Sequence, residues 1–213
     1  SVEALLRDST LEVIAVFEKP DPLTGPYFEE SIYLTPPRLS QETLSAIHGA
    51  LLKICRALGF REGPLHAELR LQGREICFIE IASRTIGGRC GKVIQFLTGA
   101  SLEALVLSNA VRRPVGQRRA TTACGVMMIP VPGAGIVRRV EGIEAARSVD
   151  HIEEIEIDVK PGQQLVPWPE GSSYPGFIFA RGSSEHLVTE ALKTAHRALR
   201  FVIAPQLPLV LAS

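Results

Sequence analysis

The sequence has no excess charge of either sign, since 23 basic residues meet 23 acidic ones across 213 positions. It therefore lacks the basic footprint that nucleic acid or an anionic membrane surface requires, and neither is expected as a partner. Long apolar runs are missing as well. None reaches the roughly 18 residues of a membrane-spanning helix, and no signal peptide is seen, so a cytoplasmic protein is expected. Cysteine is scarce: four residues stand at 55, 77, 90 and 124 without CxxC spacing. That argues against a zinc ribbon or a redox dithiol and predicts buried free thiols in a reducing compartment, with only Cys90 set beside glycines. An initiator methionine is also lacking, and strand pattern begins at once with Ser1-Val2-Glu3-Ala4-Leu5-Leu6, the look expected of a fragment.

What is present is organised around His66 to Gly88. Two arms of alternating character turn at Gln72-Gly73-Arg74-Glu75, which predicts a β-hairpin. Side chains alternate faces along a strand, so His66, Glu68 and Arg70 are expected on one face of the first arm. Ile76, Phe78, Glu80, Ala82 and Arg84 are expected on one face of the second. A turn with an odd number of residues would set Glu68 opposite Glu80; a turn one residue shorter would put them on opposite faces. Facing carboxylates repel, and a hard cation with oxygen ligands and phosphates would relieve the pair. Past the strand end, Arg84 can present a planar fork to a carboxylate or phosphate, and its other reading is a salt bridge to Glu80 or Glu68. Gly87-Gly88 follow, where backbone must come close to something.

Before the hairpin, residues 2–7 and 11–18 read as strands around Asp8-Ser9-Thr10, with Glu3 on the face of Leu5. Three prolines break residues 19–26, and residues 28–34 return to strand with Phe28, Glu30 and Ile32 on one face. Ser40 caps a helix with its apolar stripe at Leu44, Ile47, Leu51, Ile54, Cys55 and Leu58, ended by Gly59; His48 falls off the stripe and is expected at the surface. After the hairpin come helices over 92–98 and 101–111, then a polar linker from Pro114 to Arg119, the expected boundary between domains 1–113 and 114–213. The second half predicts strands at 121–129, 135–140, 152–159 and 177–181, a short helix at 143–148, and a helix from Ser184 to about Ile203. Glu153, Glu154, Glu156 and Asp158 are expected to line a solvated edge strand.

Glu68, eleven intervening residues, Glu80, then Arg84 at the end of a hairpin resembles the magnesium-binding signature of the ATP-grasp enzymes. Four segments bring the chain nearer to the L-amino acid (dipeptide) ligases within that group: Ser1 to Leu6, Phe28 to Pro36, His66-x-Glu68 and Glu80-x-Ala-x-Arg84. The resemblance covers roughly residues 1–205, with its specific motifs all before residue 90. It implies an α+β fold, the C-terminal half of an ATP-grasp domain with an antiparallel sheet and helices, followed by a small mixed C-terminal domain.

It further implies ATP-dependent ligation of a carboxylate to an amine through an acyl phosphate, with ATP and Mg2+ as cofactors and amino acids as substrates. Glu68 and Glu80 would hold Mg2+. Glu3 would lie against the nucleotide, and His66 would orient a phosphate or carboxylate or give a structural hydrogen bond. Arg84 would stabilise the phosphoryl and tetrahedral states, Glu30 would hold the amine, and Gly88 would leave the amino-terminal substrate pocket open. Ala82 departs from the usual asparagine and thins the metal shell. No lysine-bearing strand or Gly-rich phosphate clamp lies upstream, so the missing N-terminal part of the same fold is an expected partner, little ligase activity is expected of these residues alone, and self-association is expected. The alternatives are a biotin-carboxylase-like enzyme acting on bicarbonate and a non-catalytic assembly module.

Overall fold

The computed structural model describes residues 1–21, 31–73, 75–113 and 122–205. Strands Val2–Arg7 (β1) and Thr10–Val16 (β2) form a first hairpin, followed by Ile32–Thr35 (β3) and the helix Gln41–Leu58 (α1). The second hairpin is Gly63–Gln72 (β4) and Glu75–Ala82 (β5), succeeded by helices Cys90–Thr98 (α2) and Leu102–Ala110 (α3). Beyond these come Ala123–Met128 (β6), Gly135–Glu141 (β7), Ile143–Arg147 (α4), Ile152–Ile157 (β8) and Gln164–Leu165 (β9). Gly176–Gly182 (β10), Glu185–Ala198 (α5) and Arg200–Ala204 (β11) complete the order. The class is α+β, with antiparallel pairing throughout the named strands.

Three sheets result, with strand orders β2-β1-β4-β5, β3-β6-β10-β8 and β11-β7-β9. β3 stands before the expected linker, yet it pairs with β6, which comes after it. Residues 114–121, the linker itself, lie outside the described residues. The first sheet is covered on both faces. Ile47, Leu51 and Cys55 of α1 pack on Val2, Ala4, Leu6, Leu65 and Ala67, while Val93, Ile94 and Leu105 of α2 and α3 join Leu5, Ile14 and Phe17 to Val126 and Phe179 of the second sheet. Burial of this apolar surface at roughly 25 cal/mol per Å2 is the main force holding the two sheets to the shared helices. α3 is also clipped to β1 by Asn109, buried on the apolar stripe, whose Nδ2 donates to Leu6 O at 2.8 Å and whose Oδ1 accepts from Arg7 Nε at 3.0 Å.

α1 starts and stops where expected: Ser40 Oγ accepts from Thr43 N–H at 3.1 Å, and Gly59 takes a left-handed φ of 74°. His48 is a correction. It is half-buried, with Nε2 3.1 Å from Leu11 O, because α1 lies across β2 and the off-stripe flank meets the strand. α5 is another, ending at Ala198 rather than near Ile203; Leu199 turns extended with ψ 138°, and the Phe201-Val-Ile run pairs with β7 as β11. Leu199 and Ile203 happen to stand four apart, which mimicked helical spacing. Among the cysteines, 55, 90 and 124 are buried, but Cys77 is exposed on the outer strand β5. The acids of β8 lie on an edge strand as expected, but Glu154 and Glu156 are ion-paired to Lys92 of α2 rather than solvated.

The second hairpin reaches its expected result by a different route. Gln72 pairs with Glu75, so the turn has two residues, an even number, with Gly73 at φ 60°. Leu69 pairs with Phe78, yet Glu68 pairs with Glu80, which leaves Ile79 as the extra residue of a β-bulge. The bulge, not the turn, sets Glu68 opposite Glu80. It also corrects the face assignment: Ile76 and Phe78 pack toward α1, while Glu80 stands on the other face. Removing Ile79 leaves a regular ladder with the same pairs, so this deletion is expected to keep the hairpin folded, as a far-ultraviolet circular dichroism spectrum and thermal melt would check. A lost melt would mean that the bulge's added twist is itself required.

Candidate functional site

Glu3, His66 and Glu68 form a connected line along a face of the first sheet, and Glu80, opposite Glu68 in the ladder, extends it to Arg84 just past β5. Glu3 of β1 is opposite His66 of β4, and Glu68 lies two residues on from His66. His66 Nδ1 is 3.5 Å from Glu3 Oε2, and its Nε2 is 3.5 Å from Glu68 Oε1. Glu3 is 0% exposed, accepts the Ile86 N–H at 3.0 Å through Oε2, and leaves Oε1 without a partner. On the far side, Glu80 Oε1 accepts from Arg84 Nη2 at 2.7 Å, and Arg84 Nη1 donates to Thr85 O at 3.1 Å. Opposed residues in such a ladder have Cβ atoms about 4.5–5.5 Å apart, so Glu68 and Glu80 face each other closely.

The charges along this line are unequal. Burial pushes the Glu3 carboxyl up, against the opposing pull of His66 and the Ile86 N–H. Burial pulls His66 down, but the flanking carboxylates Glu3 and Glu68 outweigh it and leave the imidazole above its ordinary value. Glu68 falls to about 2, held there by His66 against burial and helped by Lys19, whose Nζ lies 3.4 Å from Glu68 Oε2. Lys19 also stands over the Tyr33 ring at 4.9 Å. The site thus runs from a fully buried carboxyl to an anchored carboxylate and then to the half-exposed Glu80–Arg84 pair, which at this exposure contributes little to stability.

Beside the line opens a cavity of about 470 Å3. Val16, Leu39 and Ile79 give it an apolar lining, and Glu68, Lys19 and Arg70 border it, a size and composition suited to a small ligand with a charged end. Two facing carboxylates suit a hard cation that takes one or two protein oxygens and fills its shell from phosphates and water, as Mg2+ does. A site of this kind needs no third protein ligand. Among the described residues no three His, Cys, Asp or Glu side chains gather as a closed metal cage.

Of the residues singled out from the sequence, Glu3, His66, Glu68, Glu80 and Arg84 are brought together; Glu30 lies outside the described residues. The other reading of Arg84, a salt bridge to Glu80, is what this structure shows. Lys19 and the Ile86 N–H were missed. Lys19 sits in a proline-broken segment with no periodicity, and long-range backbone bonds of Phe17 to Ser1 and of Glu18 to Leu34 hold it beside Glu68; a backbone N–H carries no sequence signal at all.

Residues 1–93 match the family model of the ATP-grasp domain, and residues 127–204 match the model described as L-amino acid ligase C-terminal domain 2. No curated protein matches the chain. Among solved structures, L-amino acid ligase from Bacillus licheniformis aligns at 28% identity and a TM-score of 0.83, covering 95% of this chain and 51% of that one. Phosphoribosylglycinamide synthetase from Anaerococcus prevotii aligns at 14% identity and a TM-score of 0.79, covering 95% of this chain and 52% of that one. The biotin carboxylase domain of Hydrogenobacter thermophilus 2-oxoglutarate carboxylase, in complex with MgADP and bicarbonate, aligns at 13% and 0.68, covering 95% and 46%. The last two show a common fold. The chain spans about half the length of each of these proteins.

Proposed function

We propose that this chain, a member of the ATP-grasp family carrying an L-amino acid ligase C-terminal domain, supplies the metal and acyl-transfer side of an ATP-dependent carboxylate–amine ligase. The observation that carries the reading is the bulged register that sets Glu68 against Glu80, with Arg84 at the strand end and a half-apolar cavity alongside. Mg2+ held by Glu68 and Glu80 would neutralise nucleotide phosphate charge where it builds up during phosphoryl transfer. Lys19 and His66 keep Glu68 ionised, so one carboxylate of the pair stays charged at any working pH.

In the reaction class proposed, a substrate carboxylate oxygen attacks the terminal phosphorus of ATP, ADP leaves, and an acyl phosphate forms. The amine nitrogen then attacks the acyl carbon, inorganic phosphate leaves, and a proton is lost to give the amide. Arg84 is the cation placed to grip the acyl phosphate. Its guanidinium is half-exposed, is held by one exposed carboxylate, and can exchange that partner at low cost. Glu3, a buried carboxyl with one oxygen bound to the Ile86 N–H, sets the backbone that follows Arg84. Glu30 in the amine site and amino acids as both substrates remain part of the proposal, as do the cytoplasmic setting, the contribution of an N-terminal part of the fold and self-association.

The test is ADP release by the natural protein that contains this chain, measured with ATP, Mg2+ and pairs of L-amino acids, and separately with bicarbonate. Release that requires amino acids supports the ligase. Release with bicarbonate alone would move the assignment to a carboxylase-like enzyme, and the absence of Mg-nucleotide binding would make the chain an assembly module.

A further inference from the structure

The turn that leads from Arg84 into α2 has a geometry its sequence does not favour. Gly88 and Arg89 both hold positive φ, 60° and 59°, and Cys90 N–H donates to Gly87 O at 3.1 Å. Positive φ at both central positions is the type I′ pattern, which prefers glycine, asparagine or aspartate, and arginine is a poor occupant of its second position. A residue in such a conformation persists when its surroundings over-determine it. Arg89 is held in that way. Its Nη2 lies 3.4 Å from Asp158 Oδ2, its Nη1 lies 3.7 Å from Glu156 Oε2, and its guanidinium stands 5.4 Å over the Phe177 ring.

One turn further along α2, Lys92 repeats the arrangement more tightly. Its Nζ meets Glu154 Oε1 at 2.6 Å and Glu156 Oε1 at 2.7 Å, and stands 4.8 Å over the Phe179 ring. Glu154, Glu156 and Asp158 recur at every second residue, so β8 and its continuation present them as a ridge along one face. Two cations, Arg89 at the N-cap of α2 and Lys92 in its first turn, lie on this ridge with their charged groups over two rings, a network rather than a set of isolated surface pairs. The other contacts of the same loop come from the first sheet and from β6. Ile86 N–H is bound by Glu3 and Arg84 by Glu80, and a side chain at Gly88 would come within 2.8 Å of Met128 Sδ. The loop 84–89 is therefore held from β1 and from the β8 ridge, and its Gly88 lies close against Met128 of β6.

We infer that Lys92 and Arg89 are positioning residues through which the acidic ridge of β8 fixes the 84–89 loop, and with it the guanidinium of Arg84, for acyl transfer. The catalytic half of this inference rests on the ligase reading above; the structural half does not. Amide hydrogen exchange on the natural protein reads the structural half without turnover. In Lys92→Met the amides of residues 85–90 are expected to exchange about tenfold faster or more, while those of α1 keep their wild-type rates. Unchanged exchange at 85–90 overturns the inference whether or not the protein is a ligase.

Steady-state kinetics read the other half. Lys92→Met is expected to lower kcat about tenfold with KM for ATP held within about twofold, and Lys92→Arg to restore most of the loss. Glu144→Gln, which breaks an exposed pair with Arg147 on α4, serves as the control and is expected to leave both readouts unchanged. A Lys92→Met kcat within about twofold of wild type overturns the inference, as does a loss of kcat that only follows a loss of folded protein. Wild-type protein without ATP turnover would instead sink the ligase reading and leave the exchange result to decide the structural claim.

Discussion

Replacing Glu80 by Gln in the natural protein is expected to weaken binding of Mg-ADP on the order of 100-fold, about 2.7 kcal/mol, while leaving metal-free ADP binding nearly unchanged. Glutamine keeps the size and one oxygen of the side chain, but it removes a unit charge from a pair of carboxylates that face each other in the ladder. A unit charge a few ångströms from a cation is worth roughly 4 kcal/mol at an effective dielectric of about 20. Part of that returns, because the wild-type carboxylate must give up some of its 2.7 Å contact with Arg84 to bind a metal. The fold should hardly notice: Glu80 and Arg84 are both about half-exposed, and a surface pair of that kind adds little. Isothermal titration with and without Mg2+, beside a thermal melt, would check both parts. Equal Mg-ADP affinity in the two proteins would mean that the facing glutamates are structural, and the metal reading of the hairpin would fall. Glu68→Gln is the less clean variant, since Glu68 also carries His66 and Lys19 and its loss disturbs the buried network.

The hairpin shows how far the sequence reaches and where it stops. Alternation, a glycine turn and the spacing of Glu68, Glu80 and Arg84 are enough to place these residues on one hairpin, because strand pattern is a local signal. Register was not legible. It turned on Ile79, one residue too many on β5, and a bulge leaves no mark in an alternating pattern until the partner strand is known. α1 is legible from cap to terminator because Ser40, the apolar stripe and Gly59 all agree, whereas Leu199 leaves the helix and Ile203 lies in a strand although their spacing is helical. Burial of charge was the least visible of all. Glu3 reads as a polar residue at the start of the chain and is fully buried, and the acids of β8 read as solvated although Lys92 and Arg89 lie across them from a helix some sixty residues earlier. Long-range ion pairs carry no periodicity, so only the packed fold reveals them.

His66→Leu is expected to lower stability by about 3–5 kcal/mol, because it strips a buried carboxyl of its charged neighbour while keeping much of the side-chain volume. Glu3 is 0% exposed and would keep only the Ile86 N–H. For a chain of this size that loss corresponds to a fall in Tm of roughly 6–20 °C. Removing both partners, His66→Leu with Glu3→Gln, takes away the stranded carboxyl and should recover part of the loss, which a double-mutant cycle would show as a coupling above about 1 kcal/mol. The pH dependence follows from the direction of each shift. Glu3 and His66 both sit above their ordinary values of 4.5 and 6.5, so the stability each contributes is complete below that value and is lost as the pH rises through the raised one. Glu68 runs the other way: lowered from 4.5 to about 2, it stabilises the fold above pH 4.5 and stops doing so as the pH falls toward 2. Between them the wild-type protein should lose stability on the alkaline side of 6.5 more steeply than the double variant, which carries neither Glu3 nor His66. Denaturant midpoints taken at intervals from neutral to mildly alkaline pH would separate the two curves. Parallel curves would mean that His66 stays neutral in the fold and that its contact with Glu3 is not an ion pair.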